Sequence, residues 1–173
     1  MQRDLIKLIK QAVQTVWQND IKEDFNMQRL YREGSLQSSF YYHLRRRIGD
    51  STLNYYNAFL YTEFRHKGKR VDLAVVIRHD DDQFVPIAIF EFKHLAVVSD
   101  ALFMRDVEKV LDFIDSADEC IYYLGFIQEA EYSEMNENFS WLTKEQAINC
   151  KGRLVELTGG LSRPNEEAMW IVR

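Results

Sequence analysis

Apolar positions along the chain recur with two different periods. Leu5, Ile6, Ile9, Val13, Val16 and Trp17 keep helical spacing and are interrupted by Lys7, Lys10 and Gln14, which predicts an amphipathic amino-terminal helix. Leu36, Phe40, Leu44 and Ile48 recur every four residues, so Ser35 to Ile48 reads as a second helix, stopped at Gly49 and Asp50. The period then shortens. Ala58 to Arg65 reads as a strand that turns at His66-Lys67-Gly68-Lys69, and Val71 to Val76 and Ile87 to Phe92 read as two further strands around the polar segment Arg78 to Gln83. Helical spacing returns after Ser99 or Asp100, with Phe103, Val107, Val110, Leu111 and Ile114 on the apolar face and Arg105, Asp106, Glu108, Lys109 and Asp112 largely outside it. Ile121 to Ile127 is rich in β-formers and is expected as a central strand, parallel to its predecessor through a right-handed crossover. Beyond it, Thr143-Lys144-Glu145-Gln146 has the form of a capping box. Arg153 to Thr158 and Met169 to Val172 read as strands around Gly159-Gly160 and Pro164-Asn165, added to the sheet edge or used as an oligomer contact. The acidic stretch 129 to 142, with Glu129, Glu131, Glu134 and Glu137, is expected to be a solvated loop or irregular helix.

Three charges break this pattern. Asp72 lies in the second apolar strand, and Glu91 and Lys93 lie at the end of the third. Alternation along a strand sends Glu91 and Lys93 to one side and Phe90 and Phe92 to the other. An antiparallel pairing that sets Asp72 opposite Glu91 centres its turn within Asp80 to Gln83, which is where the polar segment falls. A Glu-x-Lys on a solvated strand is only an exposed ion pair. Here the flanks are Ile87, Ala88, Ile89, Phe90 and Phe92, and charges ending a buried strand need partners or a metal. Paired carboxylates suit hard cations such as Mg²⁺ or Mn²⁺, and an adjacent lysine can orient or deprotonate water or offset charge on a phosphate.

Asp72, Glu91 and Lys93 resemble the D…(D/E)-x-K signature of the PD-(D/E)XK nuclease superfamily. The segments Tyr31 to Gln37, Gly68 to Asp72 and Phe90 to Lys93 stand in that family's order, so the likeness runs over about residues 30 to 128. It implies an α/β, restriction-endonuclease-like core with a central mixed β-sheet flanked by helices, and metal-dependent hydrolysis of phosphodiester bonds in nucleic acid, with DNA as the expected substrate. It also implies an acid on the upstream helix. Glu33 is the candidate, with Gln37 as its polar neighbour. The catalytic set is then Glu33, Asp72, Glu91 and Lys93, with Asp72, Glu91 and Glu33 around Mg²⁺ or Mn²⁺. His94, directly after the lysine, is a secondary candidate, although a polar strand end is the plainer account of it. Two alternatives stay open: a catalytically inactive nuclease-fold protein serving as a nucleic-acid-binding or protein-assembly module, and an unrelated α/β binding protein.

Composition narrows these expectations. With 173 residues, 46% of them hydrophobic, two prolines and no low-complexity stretch, the chain is expected to form one domain, a core of about residues 30–128 with additions over 129–173. Its amphipathic amino-terminal helix is unlike a secretory or membrane-spanning segment, so a cytoplasmic location is expected. Cys120 and Cys150 have no C-x-x-C spacing and read as buried thiols, and His43, His66 and His79 form no cluster. A net charge of −5 and a pI near 5.4 argue against whole-surface binding of a polyanion. Any footprint must be local: Arg45, Arg46 and Arg47, which serve the helix dipole equally well, or Arg65, Lys67, Lys69 and Arg70 leading into Asp72. Double-strand cleavage by so small a chain is easiest for a homodimer.

Overall fold

A computed structural model describes residues 2–80, 82–96, 99–114, 119–129, 136, 138–150, 152–161 and 167–173. The expected mixed sheet flanked by helices is what forms. The elements run α1 (Gln2–Thr15), a π-helical turn (Val16–Ile21), α2 (Lys22–Asn26), α3 (Glu33–Ile48), α4 (Asp50–Tyr55), β1 (Ala58–His66), β2 (Lys69–Arg78) and β3 (Phe84–Leu95). Then follow α5 (Asp100–Ile114), β4 (Ile121–Gln128), α6 (Lys144–Asn149), β5 (Leu154–Gly160) and β6 (Met169–Val172). The six strands lie in chain order across one sheet: β1, β2 and β3 form an antiparallel meander, β4 and β5 are parallel to β3, and β6 closes the far edge antiparallel. The carboxy-terminal strands are thus sheet-edge additions. Of the acidic stretch, residues 130–135 and 137 fall outside the described residues, as do Pro164 and Asn165.

Three boundaries differ from the sequence expectation, each for a local reason. α3 begins at Glu33 because the Ser35 hydroxyl accepts the backbone N–H groups of Tyr31 and Arg32, at 2.8 and 2.9 Å, and fixes the turn two residues earlier. β3 extends back to Phe84 despite Pro86, because a register shift between Val75 and Val76 accommodates a residue with no N–H to donate. α4 follows Gly49, whose φ of +82° reverses the chain after α3.

The sheet carries a core on each face. On one side Leu73, Val75, Phe90, Phe92, Tyr123 and Ile127 pack against α1 and α3; on the other Ala74, Val76, Ile89, Tyr122, Leu124 and Phe126 pack against Phe103, Val107 and Val110 of α5. Strands buried on both faces read as continuous apolar runs, which is why β3 and β4 lack a clean alternation. α3 is further tied down by buried Asp24 of α2, which accepts hydrogen bonds from the Ser39 hydroxyl, from Arg29 and from His43, the last two at 3.0 Å. Burial alone would raise the Asp24 pKa, but these three donors outweigh it and hold the carboxyl below its usual range. Cys120 and Cys150 are buried thiols, as expected.

Gly125 of β4 lies beside Phe92, and a Cβ built there would stand 2.6 Å from the Phe92 ring, itself fully buried. Gly125→Ala must therefore move the ring that backs Glu91 and Lys93. A loss of about 1–3 kcal/mol is expected, a fall of roughly 3–10 °C in Tm by calorimetry; an unchanged Tm would mean that the Phe92 pocket is slack.

Candidate active site

β2 and β3 pair only as far as Leu73 and Phe90. Beyond that point β2 continues toward its start paired with β1, and β3 continues toward its end paired with β4, so the sheet forks. Pairing of β1 with β2 also skips one position, Glu63 opposite Asp72, where Glu63 adopts a left-handed φ of +57°. Asp72 is thereby freed on both edges. Its carboxylate closes the fork, Oδ2 accepting the Phe92 N–H at 2.7 Å, while its backbone carbonyl accepts a hydrogen bond from the Gln37 side chain. Gln37 thus fixes the α3-to-β2 spacing from the main-chain side.

Glu91, 2% exposed, points from β3 toward α5, where Lys109 Nζ meets its Oε1 at 2.7 Å. Lys93, two residues on, shares that face. Its Nζ donates to Glu33 Oε2 at 2.7 Å and lies 3.2 Å from Asp106 Oδ2. Four elements therefore converge: Glu33 from α3, Asp72 from β2, Glu91 and Lys93 from β3, Asp106 and Lys109 from α5. Four carboxylates face two ammoniums, an excess of two negative charges when all are ionised. The electrostatics register this. Burial pushes Asp72 up to about 6, partly offset by the Phe92 N–H and reinforced by Glu33. Burial and then the neighbouring Asp72 push Glu91 up to about 8, against the pull of Lys109. For Lys93, burial favours loss of the proton, but Glu33 and Asp106 outweigh it and raise its pKa, so it stays an ammonium.

The structure brings Glu33, Asp72, Glu91 and Lys93 together, with Gln37 behind them. It does not bring His94, which takes the opposite face of β3, packs 6.5 Å from the Phe25 ring and pairs with Glu129 at 2.6 Å. Nor does it bring Arg45, Arg46 and Arg47. They lie three turns of α3 from Glu33, roughly 18 Å along the axis. Arg45 is bound to Asp50 and Arg47 makes a bidentate pair with Asp20 of the π-helical turn. Lys67, Lys69 and Arg70 sit at the β1–β2 turn, engaged with the Phe113 carbonyl, Asp112 and Glu63 respectively.

The sequence pattern places Asp106 and Lys109 on the outer face of α5. The structure corrects this: both point at the sheet. The sign of it is present in the spacing, since Asp106 and Val110 fall three and seven residues after Phe103 and so share its stripe, and Lys109 follows Asp106 by three.

Among the described residues, no group of three or more His, Cys, Asp or Glu is arranged as a metal cage. Glu33 is turned to Lys93, and Asp72 and Glu91 remain as a pair. That pair fits a hard divalent cation: Mg²⁺ is commonly held by one or two carboxylates, with water and phosphate oxygens completing its shell. The Glu91 Oε1 atom is buried and is met by the Lys109 ammonium at 2.7 Å.

No family model and no curated protein matches the chain. Among solved structures, SfsA of Pyrococcus furiosus in complex with Ca²⁺ is similar at a TM-score of 0.39 and 10% identity, over 78% of this chain and 61% of that one. The chain thus spans about three fifths of SfsA's length. No helix among the described residues is long and apolar enough to cross a membrane.

Both raised carboxylates bind protons more tightly folded than unfolded. Their contribution to stability is complete below the unfolded-state pKa, near 4, and is lost as pH rises through about 6 for Asp72 and about 8 for Glu91. In EDTA, Tm should fall between about pH 5 and pH 8.5. Asp72→Asn removes one acid and its repulsion of the other, and should flatten the profile; equal slopes in the two proteins would show that the pair does not form.

Proposed function

We propose that the chain is a divalent-cation-dependent phosphodiesterase that hydrolyses nucleic acid, with DNA as its substrate. One observation carries this: Asp72 and Glu91 are held together at the sheet fork, short of positive charge, with a protonated lysine two residues further along the same strand face. A core of apolar strands has no use for that set. A bound phosphate and cation do.

Asp72 and Glu91 would hold Mg²⁺ or Mn²⁺, which supplies Lewis-acid polarisation of the phosphoryl oxygen and a more acidic water. Asp72 is oriented by the Phe92 N–H, so its ligand geometry is set by the backbone. Lys93, fixed between Glu33 and Asp106, retains its proton. Its role is to position the attacking water and to stabilise charge gathering on the phosphoryl oxygens, the donor being aimed before reaction begins. Proton acceptance then falls to a carboxylate. Glu33, with 42% of its side chain exposed and in contact with Lys93, completes the acidic set on the solvent side. A duplex would be cut on both strands by two copies related by symmetry, so we place the active form as a homodimer.

A second reading, a nuclease-fold module for protein assembly, draws on the exposed aromatics of the β1–β3 meander, Tyr61 of β1 and Phe84 of β3. Tyr61 and Phe84 are 38% and 41% exposed and meet edge-to-face at 5.6 Å.

The deciding measurement is cleavage of supercoiled, linear and single-stranded substrates with Mg²⁺, Mn²⁺ or EDTA. Asp72→Asn and Glu91→Gln should lose cleavage and most metal binding by calorimetry, while Lys93→Ala should lose cleavage by roughly 10²–10³-fold and keep its metal. Lys93→Ala cutting at the wild-type rate would remove the lysine from the mechanism. Unchanged metal affinity in Asp72→Asn would remove the metal site.

Replacing Lys67, Lys69 and Arg70 with Gln should weaken duplex binding without regard to sequence and reduce the log–log salt slope by roughly one unit for each phosphate no longer engaged. Binding is measured in Ca²⁺ to suppress cleavage. An unchanged slope would move the footprint to the arginines of α3.

A further inference from the structure

The two lysines of the site are held differently. Lys93 lies between two carboxylates, Glu33 and Asp106, and is fixed from both sides. Lys109 has one ion-pair partner among the described residues, Glu91, which it meets at 2.7 Å. That ammonium sits on one of the two carboxylates that would hold the metal. A Mg²⁺ or Mn²⁺ ion would coordinate Glu91 at about 2.1 Å, which sets a divalent charge against the ammonium that already lies 2.7 Å from that carboxylate, so the two cations compete for it. The lysine is free to leave. Its side chain is 24% exposed, and its four-carbon stem can rotate away without moving α5, whose position is set by Phe103, Val107 and Val110.

We infer that Lys109 is a stand-in for the divalent cation: in the metal-free chain its ammonium occupies Glu91, and metal binding displaces it toward solvent. The inference rests on the metal site proposed above. It assigns Lys109 two effects. It keeps the acid pair folded when no metal is bound, and it lowers metal affinity by competing for the same carboxylate. Lys93 takes no part in the exchange, because its partners are Glu33 and Asp106.

The test uses the whole chain and Mn²⁺ without nucleic acid. Amine acylation followed by peptide mass spectrometry should label Lys109 several-fold faster in saturating Mn²⁺ than in EDTA, with Lys93 unchanged. By calorimetry, Lys109→Gln should bind Mn²⁺ roughly tenfold tighter than wild type, and Lys109→Arg, which keeps the competing charge, should show no gain. A Lys109 labelling rate that does not respond to bound Mn²⁺ overturns the inference, as does a Lys109→Gln affinity no tighter than wild type. In both cases wild-type binding leaves the metal site itself standing. Absence of Mn²⁺ binding by wild type and Lys109→Gln alike overturns both. Should Lys109→Gln fail to fold, the labelling of the wild-type chain decides alone.

Discussion

The separation of β2 from β3 after Leu73 and Phe90 is the constraint on which the site depends. A ladder that ends inside a sheet leaves backbone donors without partners, and a buried N–H without an acceptor is costly. Asp72 meets that demand by accepting the Phe92 N–H on its carboxylate. The same act places an ionised group among apolar strands. Glu91 then follows without further cost in backbone geometry, because β3 remains paired with β4 through Leu95 and keeps its alternation. The irregularity in the ladder on the β1 side, at Glu63, lets the strand accommodate this without breaking the antiparallel register on either side of it.

Such a site opposes folding. Two carboxylates pushed above their usual range, one of them almost fully enclosed, are a net destabilisation at neutral pH that the rest of the chain must offset. The offset comes from the other face of the same strands. Phe90 and Phe92 alternate with Glu91 and Lys93; both meet the Phe40 ring at a tilt, and Phe90 stacks on Tyr123, at centroid distances of 4.6 to 5.3 Å. Each backs onto its polar neighbour through one residue of strand. The aromatic core therefore does two things at once: it supplies apolar burial, and it holds the β3 backbone rigid where the charges project.

How much of this could be read in the sequence depends on which interactions decide each feature. Strand alternation places Glu91 with Lys93 and sets Asp72 near them, because period and register are local properties. Glu33 follows from the resemblance, which asks for an acid on the upstream helix. The α5 contribution does not, because a polar residue on the edge of an apolar stripe usually faces water. Only the presence of opposite charges across the interface turns Asp106 and Lys109 inward, and that is a fact about β3. The arginine run at the end of α3 is equally ambiguous between phosphate and protein partners. Its resolution lies in Asp20, whose place opposite Arg47 is set by the π-helical turn, a feature that no simple periodicity announces.

Charge distribution limits how such a chain could engage a polyanion. Lys69 and Arg70, the basic groups nearest Asp72 in sequence, already pair with Asp112 and Glu63, and their side chains are 47% and 71% exposed. Exposed pairs of this kind contribute about 1 kcal/mol or less, so exchanging an aspartate for a phosphate is nearly neutral in energy. Exchange does release an acid beside the phosphate, however. Each such contact gains less than a free lysine would give, and the net charge of −5 adds a general repulsion. Affinity on the proposed reading must then come from the site itself: a cation on Asp72 and Glu91 brings the local charge close to balance, and the backbone phosphate it coordinates becomes the strongest anchor. Metal loading and substrate binding are in that case one linked event, and the acidic surface makes the chain selective for the phosphate it can reach with the metal in place.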